Sequence, residues 1–524
     1  MNLRFFVGLC GAWTMASAQP PAVGQNGVVN AASQIPTTLP GAAIARGARF
    51  EIAGVRLARS GTLRVKLEHN GSTLLAPVRQ SEPTKIEALM PRDAPLGKNT
   101  LIVETDAGRS KAFLVEIAAT RIGLYSLNQK GWGPGKIDIL SDRSRRPNSV
   151  SAPARPGQLL AISSTGLGDG RGLKVVVGGE EAAVFGINRN VEPGLDEIRF
   201  RVPRNVTEGC YVPLYARVPG APVSNVVTVS IESRASRCRM PANNAVPPID
   251  EQHIGVLGIG RATTLYADDR PRTTMDEAYG AFLDFSHPGV QSSPLLLIPP
   301  EGTCTAYTGS YQSGVPSFRS FPDALLGMLE GRGMSAGRSL SLGDEPDVRV
   351  VPETGRGSYW VRLGLEEPGL RSNRPLFFKN PAYPFSGSGG EEVEQFVRRI
   401  SAVSAFDWLN EREAATIQRD RGFSIQWANV TRANVLLVLA VSVDPLTTAT
   451  ALGFCSAKPE ASRLRLPKEI FTYFPQTKDI PGPASSLFFI VAARLENALP
   501  PAVRGLDQLW TISSFTRGRR LEYH

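Results

Sequence analysis

The chain has 524 residues, 42% of them hydrophobic, with 51 glycines, 41 prolines and a formal charge of +10. That apolar content supports real cores and excludes global disorder, and so much glycine and proline favours many turns over long helices. The basic residues are scattered, with Arg143, Arg145 and Arg146 beside Asp142 the densest group, so the charge reads as a solubility surface more than as the footprint of an acidic partner.

The first residues set the compartment. Arg4 is a positive n-region, Phe5 to Met15 a short apolar run and Ala16-Ser17-Ala18 a small-residue cleavage site, which predicts a signal peptide over 1–18 cut before Gln19. The run is too short to cross a bilayer core of ~30 Å as a helix, and no other segment approaches a span. The predicted location is secreted, periplasmic or cell surface, and export sets nucleic acid aside as a partner.

After the leader the chain repeats itself. Ile86–Pro91 (IEALMP) corresponds to Ile198–Pro203 (IRFRVP), an offset of 198 − 86 = 112 residues, and Gly97 corresponds to Gly209 at the same offset. Arg46-Gly47 before Phe50 and Ile52 matches Pro156-Gly157 before Leu160 and Ile162. A fixed period with matched turn residues marks a duplicated folding unit, and at ~100 residues with short alternating strands that unit is an immunoglobulin-like sandwich.

Gly27 to Ser33 reads as a first edge strand. Leu63, Val65 and Leu67 alternate with Arg64, Lys66 and Glu68 before Asn70-Gly71, a type I′ hairpin signal. Val175 to Val177 followed by Gly178-Gly179 repeats that device. Gly131 to Pro156 reads as a linker with an exposed insertion around Ser141–Ser151, and Arg234 to Pro248 as a second boundary. The predicted division is 19–118 and 119–238 for the two sandwiches, 239–390 for a β-rich region with a short helix, and 391–524 for a C-terminal β-sandwich-like module.

In the C-terminal half, strands are predicted at Pro294–Pro300, Tyr359–Leu363, Phe423–Trp427, Val435–Val443 and Ser486–Ala492. A short helix is predicted at Phe321–Leu329. Val393, Phe396, Val397 and Ile400 follow a helical period, but Phe396, Arg398 and Ile400 also alternate as a strand would. The fold class is all-β: tandem immunoglobulin-like sandwiches followed by a mostly β region.

Loss of Cys10 with the leader leaves Cys210, Cys238, Cys304 and Cys455, an even count that argues for two disulfides in an exported chain. Three pairings are possible. Cys210 and Cys238 flank the last strands of the second repeat, which favours a local pair and leaves Cys304 with Cys455. A metal site is the rival reading, but it needs clustered ligands, and the chain has no C-x-x-C and only His69, His253, His287 and His524.

No motif of hydrolases, zinc peptidases or P-loop enzymes occurs, and Gly258-Ile259-Gly260 lacks the third glycine of a dinucleotide loop. Asp268-Asp269 and Glu391-Glu392 are adjacent carboxylates, which a strand points in opposite directions, so both read as solvated loops. Trp132, Tyr307, Tyr311, Tyr359, Trp360 and Trp408 could form a sugar-stacking platform; core packing competes, above all for Tyr359, Trp360 and Trp427. The reading assigns no catalytic, cofactor or metal residues.

Gly27-Val28-Val29-Asn30-Ala31-Ala32-Ser33, Ala154-Arg155-Pro156-Gly157, Thr165-Gly166-Leu167-Gly168, Gly209-Cys210-x-Val212-Pro213 and Ser224-Asn225-x-Val227-Thr228 together resemble a family of uncharacterised secreted bacterial proteins with paired IPT/TIG-like modules. Gly389-Gly390, Phe406-x-Trp408, Ile417-x-Arg419, Trp427 and Phe454-Cys455 look like a β-rich C-terminal module of such proteins. The resemblance implies sandwiches and export and supplies no activity. The expected role is a monomeric extracellular or cell-surface binding or structural protein. Its modules would be spacer and recognition units for a glycan or protein, without a cofactor. The alternative is a secreted hydrolase with its site in 250–524.

Overall fold

The computed structural model describes residues 19–58, 61–142, 144–240, 252–265, 273–286, 297–310, 331–367, 369, 374–444, 446–477, 485–498 and 503–524. The predicted leader, the helix at Phe321–Leu329, Asp268-Asp269, His287 and Tyr311 lie outside these residues.

The strand register exposes the duplication. In the first repeat Arg49–Val55 pairs with Lys85–Leu89, setting Ile52 opposite Ile86 and Phe50 opposite Ala88. In the second, Leu159–Thr165 pairs with Leu195–Arg201, setting Ile162 opposite Ile198 and Leu160 opposite Phe200. Gly97–Thr105 and Gly209–Arg217 then carry the second sheet of each repeat, with Ile117 opposite Gly97 and Ile231 opposite Gly209. Even the parallel contact recurs, Ile117 beside Ile44 and Ile231 beside Ala154. Each repeat closes on its own core: Phe50, Ile52, Val65, Leu67 and Ile86 in the first, Leu160, Ile162, Val175, Ile198 and Phe200 in the second.

Both hairpin signals form turns. Asn70 and Gly71 take φ of 45° and 81°, Gly178 and Gly179 59° and 90°, as a type I′ turn requires. The repeats differ at one crossing. In the first, Pro77 separates Ser72–Ala76 from Val78–Glu82, and the two pieces belong to different sheets. In the second the chain has no proline there, and Glu180–Glu192 runs on unbroken, pairing with Lys174–Val177 and Leu195–Arg201 and so joining both sheets.

Some expectations need correction. The segment around Ser141–Ser151 is no detached insertion. Ile137–Leu140 and Arg145–Pro147 form a hairpin at the edge of the second repeat's sheet, and the buried Asn148 side chain bonds both the carbonyl and the amide of Ser230. Its exposure is as expected: Ser141, Asp142, Ser144 and all of Arg145–Pro147 are exposed. Phe396–Ser401 is a strand, not a helix, because Phe396 and Ile400 are buried while Val397 is 65% exposed. Leu297 and Ile298 are buried but lie in no strand, since Pro299 and Pro300 have no amide to donate to a ladder.

The C-terminal region is built on one thirteen-stranded sheet. Its first long strand, His253–Leu265, pairs in parallel with its last, Gln508–Arg520, over twelve residue pairs. The expected boundary at 390/391 therefore falls inside a single sheet. Val435–Val443 is buried along its whole length, because both faces of the sheet are covered. A three-stranded sheet bearing Trp408 and Trp427 packs on one face. The other face packs against Trp132, Cys210, Tyr211 and Cys238 of the second repeat.

The repeats are thus not free-standing spacers. Ile35 and Leu39 of the first enter the same core as Trp408, and the Asn26 side chain donates to Thr447 O (3.1 Å) and Ser310 Oγ (3.0 Å). Between the repeats, Arg49 donates to Pro193 O and pairs with Glu192 at 2.7 Å. Arg121, 1% exposed, donates to Val223 O and stacks over Tyr473, whose hydroxyl bonds the same carbonyl.

Candidate functional site

The four cysteines form two disulfides, Cys210–Cys238 and Cys304–Cys455. Cys304 and Cys455 face each other in register across adjacent strands, so their Cα atoms are 4.0 Å apart, below the usual disulfide range. Among the described residues no group of three His, Cys, Asp or Glu side chains could hold a metal ion.

Among the described residues the aromatic platform does not form. Trp132, Tyr307, Tyr359 and Trp408 are all buried; Trp132 packs edge-on against Tyr307 at 5.7 Å, and Trp360 donates its indole N–H to the buried Glu277. Trp132, Tyr307 and Trp408 serve the core because the repeats and the small sheet cover the faces that carry them, and Tyr359 packs among the large sheet's own Phe282, Leu340 and Phe385.

The adjacent carboxylates separate. Glu391 is exposed. Glu392 accepts the Ser335 amide at 2.6 Å and pairs with Arg332 and Arg356. The Ser335 amide, then the two guanidiniums, hold its carboxyl below the ordinary range against an opposing desolvation. Nearby, His253 lies 3.6 Å from both Asp284 and Asp507, and Ser286 donates its hydroxyl to Asp284. A nucleophile needs its base between hydroxyl and carboxylate. Here the carboxylate sits in the middle, so this trio anchors the strand end and has no activated serine.

A cleft of about 450 Å³ lies elsewhere, on residues to which the sequence assigned no role. Its floor comes from the parallel pair, where Ile259 stands opposite Ser513 and Arg261 opposite Phe515. With period-2 alternation these side chains point to one face. The Phe378–Pro381 loop, Ala402–Ala405 and Arg432 form the walls.

The loop is held by side chains. Asp276, fully buried and cross-strand from Arg261, takes the Arg261 guanidinium in a two-point grip at 2.6 and 2.8 Å. Its Oδ2 also accepts the Phe377 and Phe378 amides at 2.7 and 2.9 Å. The Tyr383 hydroxyl accepts the next two amides, those of Lys379 and Asn380. Four successive N–H groups are therefore satisfied without regular secondary structure, which fixes the rim before any ligand arrives.

Three cations meet at this cleft. Arg261 is a quarter exposed; Lys379 and Arg432 are exposed, and neither has an ion-pair partner among the described residues. Below them the Ser513 hydroxyl is buried with no hydrogen-bond partner. A buried hydroxyl left unbonded costs about 1–3 kcal/mol, a cost that a ligand oxygen in the cleft would remove. The sequence did hold a trace of the site: Thr511 to Thr516 breaks an apolar strand with a run of hydroxyls, and Phe377 to Pro381 is an aromatic turn.

No family model and no curated protein matches the chain. Among solved structures, one similar to it is the Bacteroides ovatus mixed-linkage glucan utilization locus SGBP-B in complex with a mixed-linkage heptasaccharide. It is 11% identical, covers 61% of this chain and 67% of that one, and has a TM-score of 0.21. Domains 5–6 of the S-layer protein SbsC are 10% identical, covering 41% of this chain and 100% of that one, with a TM-score of 0.20. An SGBP-B from a complex xyloglucan utilization locus in Bacteroides uniformis is 11% identical over 66% and 86%, with a TM-score of 0.16. Likenesses this distant carry no argument about activity. Among the described residues no helix is long and apolar enough to cross a membrane, which leaves strand-built spans unaddressed.

Proposed function

We propose that the protein is an exported, monomeric binding protein that holds its ligand in the Arg261–Lys379–Arg432 cleft. The observation that carries this reading is the pinned loop standing over the unpartnered Ser513 hydroxyl. Export is supported by the leader-like residues 1–18 and by two disulfides, a chemistry of oxidising compartments. The repeats, read as IPT/TIG-like modules, brace the large sheet and carry the cleft at its far side. Binding proceeds without turnover and without a cofactor.

The experiment offers the exported form glycans and peptides and measures both retention and product. Retention with no released reducing ends or amines is expected. Steady release of product would instead favour the secreted hydrolase with its site in 250–524.

A further inference from the structure

Building on that reading, we infer that the cleft selects an acidic sugar, a uronate-type residue whose carboxylate lies among Arg261, Lys379 and Arg432. Three cations converge on one cleft. Asp276, the buried carboxylate that holds Arg261, is occupied by that guanidinium and by two backbone amides, leaving Lys379 and Arg432 to an incoming anion. Arg261, whose Nε and Nη2 are committed to Asp276 and to the Phe378 carbonyl, lines the cleft with a quarter of its side chain exposed.

The rest of the lining suits a sugar body. Ser404, Ser513 and Asn380 offer hydroxyl and amide groups, while Ile259, Val403 and Phe378 offer apolar surface to the C–H face of a ring. An extended acidic peptide is the poorer fit. Peptide strands add to free sheet edges, and both floor strands are already paired on each side: His253–Leu265 with Thr273–Asp284 and Gln508–Arg520, the latter also with Ser485–Ala498.

The test is calorimetric titration of the full exported chain with oligogalacturonate, its methyl-esterified form and poly-glutamate. Oligogalacturonate should bind, weaken with added salt, and lose about tenfold in affinity in each of Lys379→Ala and Arg432→Ala. Arg171→Ala, at a side chain 91% exposed and outside the cleft's lining, serves as the charge control and should bind as the parent does. Both cleft lysine and arginine are exposed, so folding should survive and circular dichroism checks it.

Equal binding of the esterified sugar would overturn the acidic preference while leaving a binding cleft in place. Binding of poly-glutamate alone would overturn the sugar assignment. No binding of any probe would overturn the inference, and the binding reading itself would then rest on the broader glycan and peptide panel.

Discussion

The first repeat and the middle of the C-terminal sheet are both all-β, yet they bury their strands in opposite ways. In Leu63–His69 of the first repeat, Val65 and Leu67 are buried while Arg64 is exposed. In Val435–Val443 and Ala449–Ala457 every residue is buried. One-sided burial writes a period of two into the sequence, and two-sided burial writes an apolar run. The repeats pack against the large sheet, and the large sheet supplies Arg261, Ser513 and Ser514 to the proposed cleft.

The largest effect should come from the disulfides. Replacing Cys304 and Cys455 by serine opens a link across 151 residues, against 28 for Cys210–Cys238. Loop-closure entropy puts these at about 5 and about 3.5 kcal/mol. Denaturant unfolding of the two double-serine variants should therefore rank the Cys304/Cys455 variant lower. The reverse order would mean that the C-terminal sheet keeps its shape when unfolded or gains little from the bridge.

Next comes packing. Leu439→Ala opens a cavity in the core between the large sheet and the second repeat, and Leu67→Ala one in the first repeat's own core. Both side chains are buried, so each variant should lose about 2–5 kcal/mol in denaturant unfolding. A loss below about 1 kcal/mol at either site would show that its core closes around the deletion.

Acid should act on the large sheet through Glu392. Its folded value is depressed, so its contribution is complete above the unfolded value of ~4.3 and fades as pH falls through the lower folded value. In Glu392→Gln, stability should depend less on pH below about 4. An unchanged acid profile would show that the Ser335, Arg332 and Arg356 contacts contribute nothing.

The smallest effect concerns the one crossing where the repeats differ. Ala183 stands where Glu180–Glu192 changes partners, opposite Arg201, the place that Pro77 takes beside Leu89 in the first repeat. The first repeat accepts proline at that crossing, so Ala183→Pro should cost less than about 1 kcal/mol in thermal unfolding. A loss of several kcal/mol would mean that the unbroken strand is essential to the second repeat.

The repeats were legible because their turns and alternation are local. Asn70-Gly71, Gly178-Gly179 and the 112-residue offset needed no tertiary information. The sheet order of the C-terminal region was hidden for the opposite reason: His253–Leu265 meets Gln508–Arg520 across most of the region, and nothing in either strand names the other. Aromatics such as Trp132 and Trp408 misled because exposure depends on what packs above them. The cleft escaped notice because Arg261, Lys379, Arg432 and Ser513 come from four distant segments and share no motif.

The central claim is that this cleft binds the ligand, and Ala405→Trp tests it most directly. Ala405 is exposed and lines the cleft, so the indole should fill the space and leave the fold intact, as near-parental thermal unfolding would verify. Against a glycan and peptide panel, the variant is expected to lose the ligands that the parent retains. Undiminished retention in a folded Ala405→Trp chain would contradict the account and move the binding site elsewhere on the molecule.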